Sequence, residues 1–474
     1  MKLKFFFLYL LLFTSSVFAG GPYVSDLVGH TGSAAHWPYD IVGKTWVIHW
    51  KYDSGPLTSG GPVNIDNATA IRDWVRPLFD TWKNVTLDLP SGEHVSTVAI
   101  KFVEDGPIGY DITKENHETF TKTPKPGDPI LPTVVIFDAD GSITADYMQD
   151  KTKRNSIAGL GQPFVDSSGV LIQRGFIILN GRMIDGVYKA DGNDDTNNGE
   201  FVQNPSASNQ AEVKKRFQAV ILHELGHLLN LDHAQVNLDI VMNCSLGSCD
   251  QPEAVPTLFP NLKVTDQFTP HRDDKVALSL LYPTQAFNSK FCRVTGEIVN
   301  KDGKGMQGVN VIASSTDDAV RDARAMVSGV YYAPETEDGH YVLAGLVPNQ
   351  DYEISFEPLS KYYNDKPASG FQPLGPTSPV GFTPGVISAA DGTQTVRCSQ
   401  GGQTIAMPAF TVDITQPSTG ESPPEGGDDG SAATGKGWWC SLNRNQTGNV
   451  YDALVWMGMM VFGIISLHRI KRKL

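Results

Sequence analysis

At 474 residues, 40% hydrophobic and 19% charged, the chain is long enough for two or three domains with cores of their own. A net charge of −14 argues against nucleic acid as a partner, since a polyanion would be repelled. Five cysteines suit an oxidising compartment rather than the cytoplasm.

Residues 1–19 carry Lys2 and Lys4, an apolar run from Phe5 to Phe13, and Val17-Phe18-Ala19 with small residues at its ends. This is the pattern of a secretory signal peptide, with the mature chain starting near Gly20. A first membrane helix is the alternative, and the apolar run is short for one. The protein is therefore expected to be exported.

A mixed domain is expected over 20–286. Thr45 to Trp50 is rich in β formers and reads as a strand. A helix follows, capped by Asp66 or Asn67, with Ile71, Trp74, Val75, Leu78, Phe79 and Trp82 recurring at three- and four-residue steps. Pro77 inside that run predicts a kink or a break. Thr97 to Val103 and Thr133 to Phe137 read as strands, the second entering Asp138-Ala139-Asp140-Gly141. That turn reads as an Asx-type turn, with Ca²⁺ held by Asp138 and Asp140 as the alternative. Gly175 to Asn180 is another short strand. The acidic, Asn-rich stretch Asp191 to Asn198 reads as a surface loop, because its spacing fails the EF-hand template.

The most informative stretch is His223-Glu224-Leu225-Gly226-His227-Leu228-Leu229-Asn230-Leu231-Asp232-His233. A helix is predicted to open near Asn209, with Glu212 three residues on in a capping-box arrangement, and to run to about Leu229. Residues four apart share a helix face, so His223 and His227 can offer two imidazole nitrogens to one ion, with Glu224 beside them. Asn230 tolerates left-handed backbone, so the helix can end there and the turn can bring His233 back as a third ligand. With 11 His in the chain, a His at that one position arises by chance only about 2% of the time. The apolar flanks suit a buried helix better than a solvated one.

This stretch resembles the H-E-x-x-H-x-x-G-x-x-H signature of the metzincin zinc endopeptidases, with "HELGHLLNLDHAQ" most like the matrixin-type branch and its bacterial relatives. Asn230 replaces the usual Gly. The resemblance extends over roughly residues 37–283, closing at the helix that ends in Leu281-Tyr282-Pro283. It implies an α+β fold, a twisted mixed sheet carrying a zinc-binding helix, with Zn²⁺ held by His223, His227 and His233 and with Glu224 as the general base. It also implies a Met-turn beneath the metal, for which two non-ligand candidates exist: Met242, close to His233 but with no following Pro, and Leu258 in Pro256-Thr257-Leu258-Phe259-Pro260. The resemblance further suggests Gly175–Asn180 as the sheet edge beside the cleft; an ordinary internal strand is the alternative reading.

Residues 288–412 change character. Arg293 to Val299 alternates, Lys301 to Gly305 turns, and Val309 to Ala313 returns, a hairpin pattern. With Gly339 to Pro348 and Tyr352 to Phe356, these residues are similar to the prealbumin-like β-sandwich of carboxypeptidase regulatory-like domains. An all-β sandwich is expected, without catalysis of its own. Cys244 and Cys249 could close a small loop after the metal helix, and Cys292 with Cys398 could tie the start of the second domain to its end; free thiols are the alternative.

Residues 413–437 read as a flexible spacer of Pro, Gly, Ser, Glu and Asp. The segment 438–474 holds Trp438-Trp439-Cys440, an apolar run from Ala453 to Leu467 and a basic end. It resembles bacterial C-terminal sorting tails, which implies a processing or lipid-attachment role for Cys440; a simple tail anchor is the alternative. The expectation is an envelope enzyme tethered to the membrane or released after processing, hydrolysing protein or peptide substrates with Zn²⁺, any Ca²⁺ being secondary. The rivals are a cell-surface adhesion protein with a structural or inactive zinc site, and a zinc amidase acting on cell-wall peptide.

Overall fold

The computed structural model describes residues 34–59, 61–125, 128–129, 131–166, 171–186, 207–245, 248–329, 338–358, 384–389, 392, 394–413 and 438–439. The segment 1–19, the acidic loop 191–198, the spacer from 414, Cys440 and the apolar run 453–467 lie outside them. No helix among the described residues is long and apolar enough to cross a membrane. The chain divides into two units, 1–442 and 443–474. The first is mixed α+β, with several sheets and few helices.

Its principal sheet is built from β1 (Tyr39–Asp40), β2 (Thr45–Tyr52), β3 (Ile100–Pro107), β4 (Thr133–Asp138), β5 (Gly159–Val165) and β6 (Ile172–Asn180). β2 runs parallel to β3 and β4, β4 runs parallel to β6, and β5 alone among these last strands runs antiparallel, against β6. The two-residue period sorts the side chains of β4 and β6. Val135, Phe137, Ile177 and Leu179 enter the core that faces the long helices. Val134, Ile136, Phe176 and Ile178 pack on the other side with Ile112, Phe120, Ile143 and Phe164. Both faces are covered, which is why these strands read as unbroken apolar runs. It also decides between the two readings of Gly175–Asn180: the segment is an internal strand, between β4 and β5, and the outer strand is β5.

The predicted first helix opens where expected, with Asp66 Oδ1 accepting from Thr69 N at 2.7 Å. Pro77 does not break it, but the helix changes type just before that residue. The helix widens to a π-turn over Ala70–Val75 and continues as α1 (Arg76–Lys83). A proline strands the carbonyl four residues earlier, and here Gln218 Nε2 donates to that carbonyl, Asp73 O, at 3.3 Å.

Gln218 belongs to α2 (Ala207–Leu228), the helix that carries His223 and His227, which starts two residues before the predicted Asn209. Glu212 is therefore inside the helix and pairs one turn on with Arg216, so it makes no capping box. The helix lies in the main core through Val213, Phe217, Val220, Ile221, Leu225 and Leu228. Trp82 Nε1 donates to Leu222 O at 2.9 Å and Trp37 Nε1 to Leu228 O at 3.1 Å, locking it in place from both sides.

After α3 (Arg272–Leu281) and a short helix at Gln285–Lys290, the sandwich begins. One sheet sets β7 (Cys292–Val299) between β10 (His340–Leu346) and β14 (Thr404–Ala406), with β15 (Phe410–Thr411) also on β7. The other runs β9 (Ala323–Val327), β8 (Val309–Ser315), β11 (Asp351–Pro358) and β12 (Gly385–Val386), with β13 (Thr395–Arg397) also on β11. The predicted hairpin is thus not formed: β7 pairs with β10 and β8 with β9 and β11, in opposite sheets. The turn itself exists, with Asn300 N donating to Lys304 O, but the chain crosses between sheets through buried Met306 and Gln307. Disulfides join Cys292 to Cys398 and Cys244 to Cys249.

The two halves of this unit share apolar clusters. Leu87, Val95 and Val276 meet Phe291, Ala344 and Val347 in one, and Val236 meets Ala323 and Ala325 in another.

Candidate metal centre

The helix carrying His223 and His227 must end within one turn for His233 to turn back. Asn230 makes this possible, at φ 69°. Leu231 N donates to Gly226 O and Asn230 N to His227 O, both at 2.9 Å, the paired bonds of a Schellman cap. The Asn230 side chain adds what a glycine could not, Nδ2 donating to Ala35 O at 2.7 Å. Tyr282 Oη donates to Leu229 O at 2.9 Å and secures the same end.

The result is a triad. The ring centroids of His223, His227 and His233 lie 4.6, 4.8 and 5.2 Å apart, and one nitrogen of each lies within 4.8 Å of the others. All three are buried, at 3%, 6% and 2% exposure. Carbonyls fix two tautomers. His223 Nδ1 donates to Thr257 O and His227 Nδ1 to Leu231 O, each at 2.8 Å, which leaves the Nε2 lone pairs as the acceptor sites. Burial holds His223 well below its ordinary range, helped by the neighbouring His227, and burial takes His227 down to about 4, so both are neutral near pH 7.

These residues fit Zn²⁺. His223 Nε2 is buried with no hydrogen-bond partner among the described residues, costly for a neutral imidazole unless a cation takes the lone pair. Three imidazoles are the donor set Zn²⁺ takes in open sites. Among the described residues no fourth His, Cys, Asp or Glu joins the cluster. His271 is engaged elsewhere: it caps α3, with Nδ1 accepting from Asp273 N at 3.1 Å and Nε2 donating to Val320 O at 2.9 Å. Cys244 and Cys249 are consumed by their disulfide.

Glu224 is buried beside the triad, against the outer strand β5. A Cβ on Gly159 would come within 2.8 Å of Glu224 Cγ, and one on Gly161 within 2.4 Å of Glu224 O, so two glycines let this strand lie on the helix. The sequence reading missed both. Their signal was the Gly-Leu-Gly alternation at 159–161.

Of the two Met-turn candidates, Leu258 lies against the helix and Met242 does not. A Cβ on Gly226 would meet both Leu258 methyls at 3.0 Å, whereas Met242 is 47% exposed. The turn at Leu258 is held by a residue sequence reasoning did not single out. Asp274 accepts from Thr257 N at 2.8 Å and from Leu258 N at 3.1 Å. A small cleft beside His223 is lined by Ala158, Val220, Phe259 and Leu262. The main chain of Asn261–Leu262 there pairs antiparallel with Trp438–Trp439. A larger cleft of about 620 Å³, between Asp88, Lys275 and Asp322, contains none of the three histidines.

The remaining candidates serve local structure. Asp138 accepts from Ile143 N and Thr144 N at 3.2 and 2.7 Å, and Asp140 from Ser142 N at 2.9 Å, the bonds of a turn leading into a short helix.

No known protein family matches the sequence, and no curated protein does. Among solved structures, the chain is similar to the dioxygenase domain of a dioxygenase carbohydrate-binding protein fusion from the cellulolytic bacterium Streptomyces sp. SirexAA-E, at 12% identity and a TM-score of 0.13 over 27% of this chain and 84% of that one. It is also similar to catechol 1,2-dioxygenase from Pseudomonas arvilla C-1, at 11% identity and a TM-score of 0.12 over 27% of this chain and 53% of that one. Likeness at that level carries no argument about fold or activity.

Proposed function

We propose that this chain is a metzincin-like zinc endopeptidase, exported and tethered to the membrane by its C-terminal segment or released after processing at Cys440. The observation that carries the reading is the convergence of His223, His227 and His233 on one point, with a buried, unpartnered His223 Nε2 aimed at it. Zn²⁺ bound there supplies Lewis acidity to the scissile carbonyl and lowers the pKa of water toward neutrality.

The chain's own groups do the rest. Glu224, beside the first ligand, takes the proton of the attacking water on its carboxylate and passes it to the leaving nitrogen. The carbonyls of Thr257 and Leu231 take the Nδ1 protons of His223 and His227, so each Nε2 would be the atom that holds the ion. Strand β5 pairs only with β6 among the described strands, so its outer edge can take an extended peptide by main-chain hydrogen bonds, next to Glu224. An edge that reads main chain suits internal peptide bonds. Protein or peptide is thus the substrate class, and nucleic acid is no partner.

The rival, an adhesion module with a closed structural zinc, calls for a fourth protein ligand. His271 and the 244–249 disulfide, the groups best placed in sequence to supply one, are committed elsewhere. Glu224→Gln is expected to retain zinc and lower kcat by at least about 10³-fold, since it removes the proton acceptor alone. Undiminished turnover in that variant would refute the role of Glu224, and chelator-insensitive cleavage by the wild type would refute the metal.

A further inference from the structure

The sandwich touches the segments that carry two of the three ligands. Two residues past His233, Gln235 O accepts from Asn310 Nδ2 of β8 at 2.9 Å, and Asn310 is itself fully buried and donates to Glu357 Oε1 at 2.8 Å. The next residue, Val236, is fully buried among Ile312, Ala323 and Ala325. Asn237 Nδ2 then donates to Val320 O at 2.9 Å. Three consecutive residues after the third ligand are therefore seated on the sandwich.

The first ligand is reached by another route. Asp273, at the start of α3, accepts from Ala325 N of β9 at 2.7 Å. Its neighbour Asp274 accepts from the amides of Thr257 and Leu258, and Thr257 O takes the Nδ1 proton of His223. The start of α3 is further tied to the sandwich by Arg272, paired with Asp322 at 2.7 Å and donating to Gly345 O at 3.2 Å. Asp322 in turn is held by Arg324 and by Tyr352 Oη at 2.8 Å.

We propose that the β-sandwich is half of the metal centre's scaffold, with Asn310 positioning the His233 segment and Asp273, docked on the Ala325 amide, positioning the turn that orients His223. This rests on the zinc reading above. Neither residue touches the metal position or substrate. A module that merely followed the catalytic unit would leave zinc affinity unchanged when these contacts were cut.

The test uses the full chain loaded with zinc or, for spectroscopy, cobalt. Asn310→Ala and Asp273→Ala are expected to weaken zinc binding by about tenfold in chelator competition, the lower end of the scale for contacts made directly to a ligand ring, since both residues lie further out. Both should alter the visible absorption of the cobalt form and lower kcat with little change in KM. Asp273→Asn keeps an oxygen for the Ala325 amide and should restore affinity and spectrum. Val294→Ala, inside the sandwich core and away from the junction, should lower Tm yet leave zinc affinity within about twofold. Should Asn310→Ala fail to fold, the Asp273 pair carries the comparison alone. Wild-type affinity and spectrum in Asp273→Ala would overturn the proposal, as would equal loss in Asp273→Asn or Val294→Ala. Failure of the wild type to bind zinc would instead overturn the site reading beneath it.

Discussion

The histidine helix and the sandwich junction bury polar groups by opposite strategies. At the helix, three imidazoles crowd together, two with their protons committed to carbonyls, and the arrangement invites a cation. At the junction, Arg272 and Arg324 both pair with the single carboxylate of Asp322, with Tyr352 under Arg324, the guanidinium 4.8 Å from the ring centroid. The first site leaves His223 Nε2 for a cation to satisfy; the second already pairs its cations with a carboxylate. A buried polar cluster therefore signals a ligand only where its donors and acceptors do not already pair.

That contrast can be broken by substitution. Asp322→Ala would leave two buried guanidiniums facing each other and is expected to cost about 3–5 kcal/mol in urea unfolding. Neutral stability in that variant would mean the junction is held by apolar contacts alone. Leu258→Ala is expected to cost about 3 kcal/mol and, because the side chain lies under Gly226, to weaken zinc retention as well.

His271 sharpens the comparison through pH. Buried and hydrogen-bonded through both ring nitrogens, it is pushed from 6.5 down to about 4, burial being the main cause and the Val320 carbonyl opposing it. The unfolded chain binds the proton first as pH falls, so the stability this neutral ring contributes is complete above about 6.5 and drains away toward 4. The nearby Arg272, Lys275 and Arg324 act in the same direction, whereas Asp273 and Asp274, raised by burial to about 8 and about 6, gain stability as pH falls. The difference between wild type and His271→Asn isolates the ring. It is expected to change by about 2 kcal/mol between pH 7.5 and pH 5, in favour of the variant at the acid end. A pH-independent difference would place the ring in solvent. The smallest effect belongs to the exposed Met242: Met242→Ala should stay within about 0.5 kcal/mol and keep zinc.

What the sequence disclosed follows the range of the interactions. The triad is local, two histidines one turn apart and the third across a capped turn, so spacing sufficed to bring the three together and Asn230 was readable as the residue that reverses the chain. Strand positions were readable from β-branched and aromatic runs, as in β2 and β4. Partners were not. Alternation in Arg293–Val299 fixes which face is buried, not whether the next strand lies beside it or in the opposite sheet, and the hairpin expectation failed there. The all-apolar Phe176–Leu179 held the clue that β6 is internal. Asp273 and Asp274 were not legible as buried, because their partners Ala325 and Thr257 are distant in sequence. Leu258 and Met242 could be separated only by burial, which neither spacing nor residue type encodes.

The central claim is that three imidazoles share one ion. Its most direct measurement is metal stoichiometry of the chain after exhaustive dialysis against a weak chelator, alongside His233→Ala. The account predicts one zinc per wild-type chain and loss of that zinc in the variant. Equal zinc in both, or none in the wild type, would contradict it.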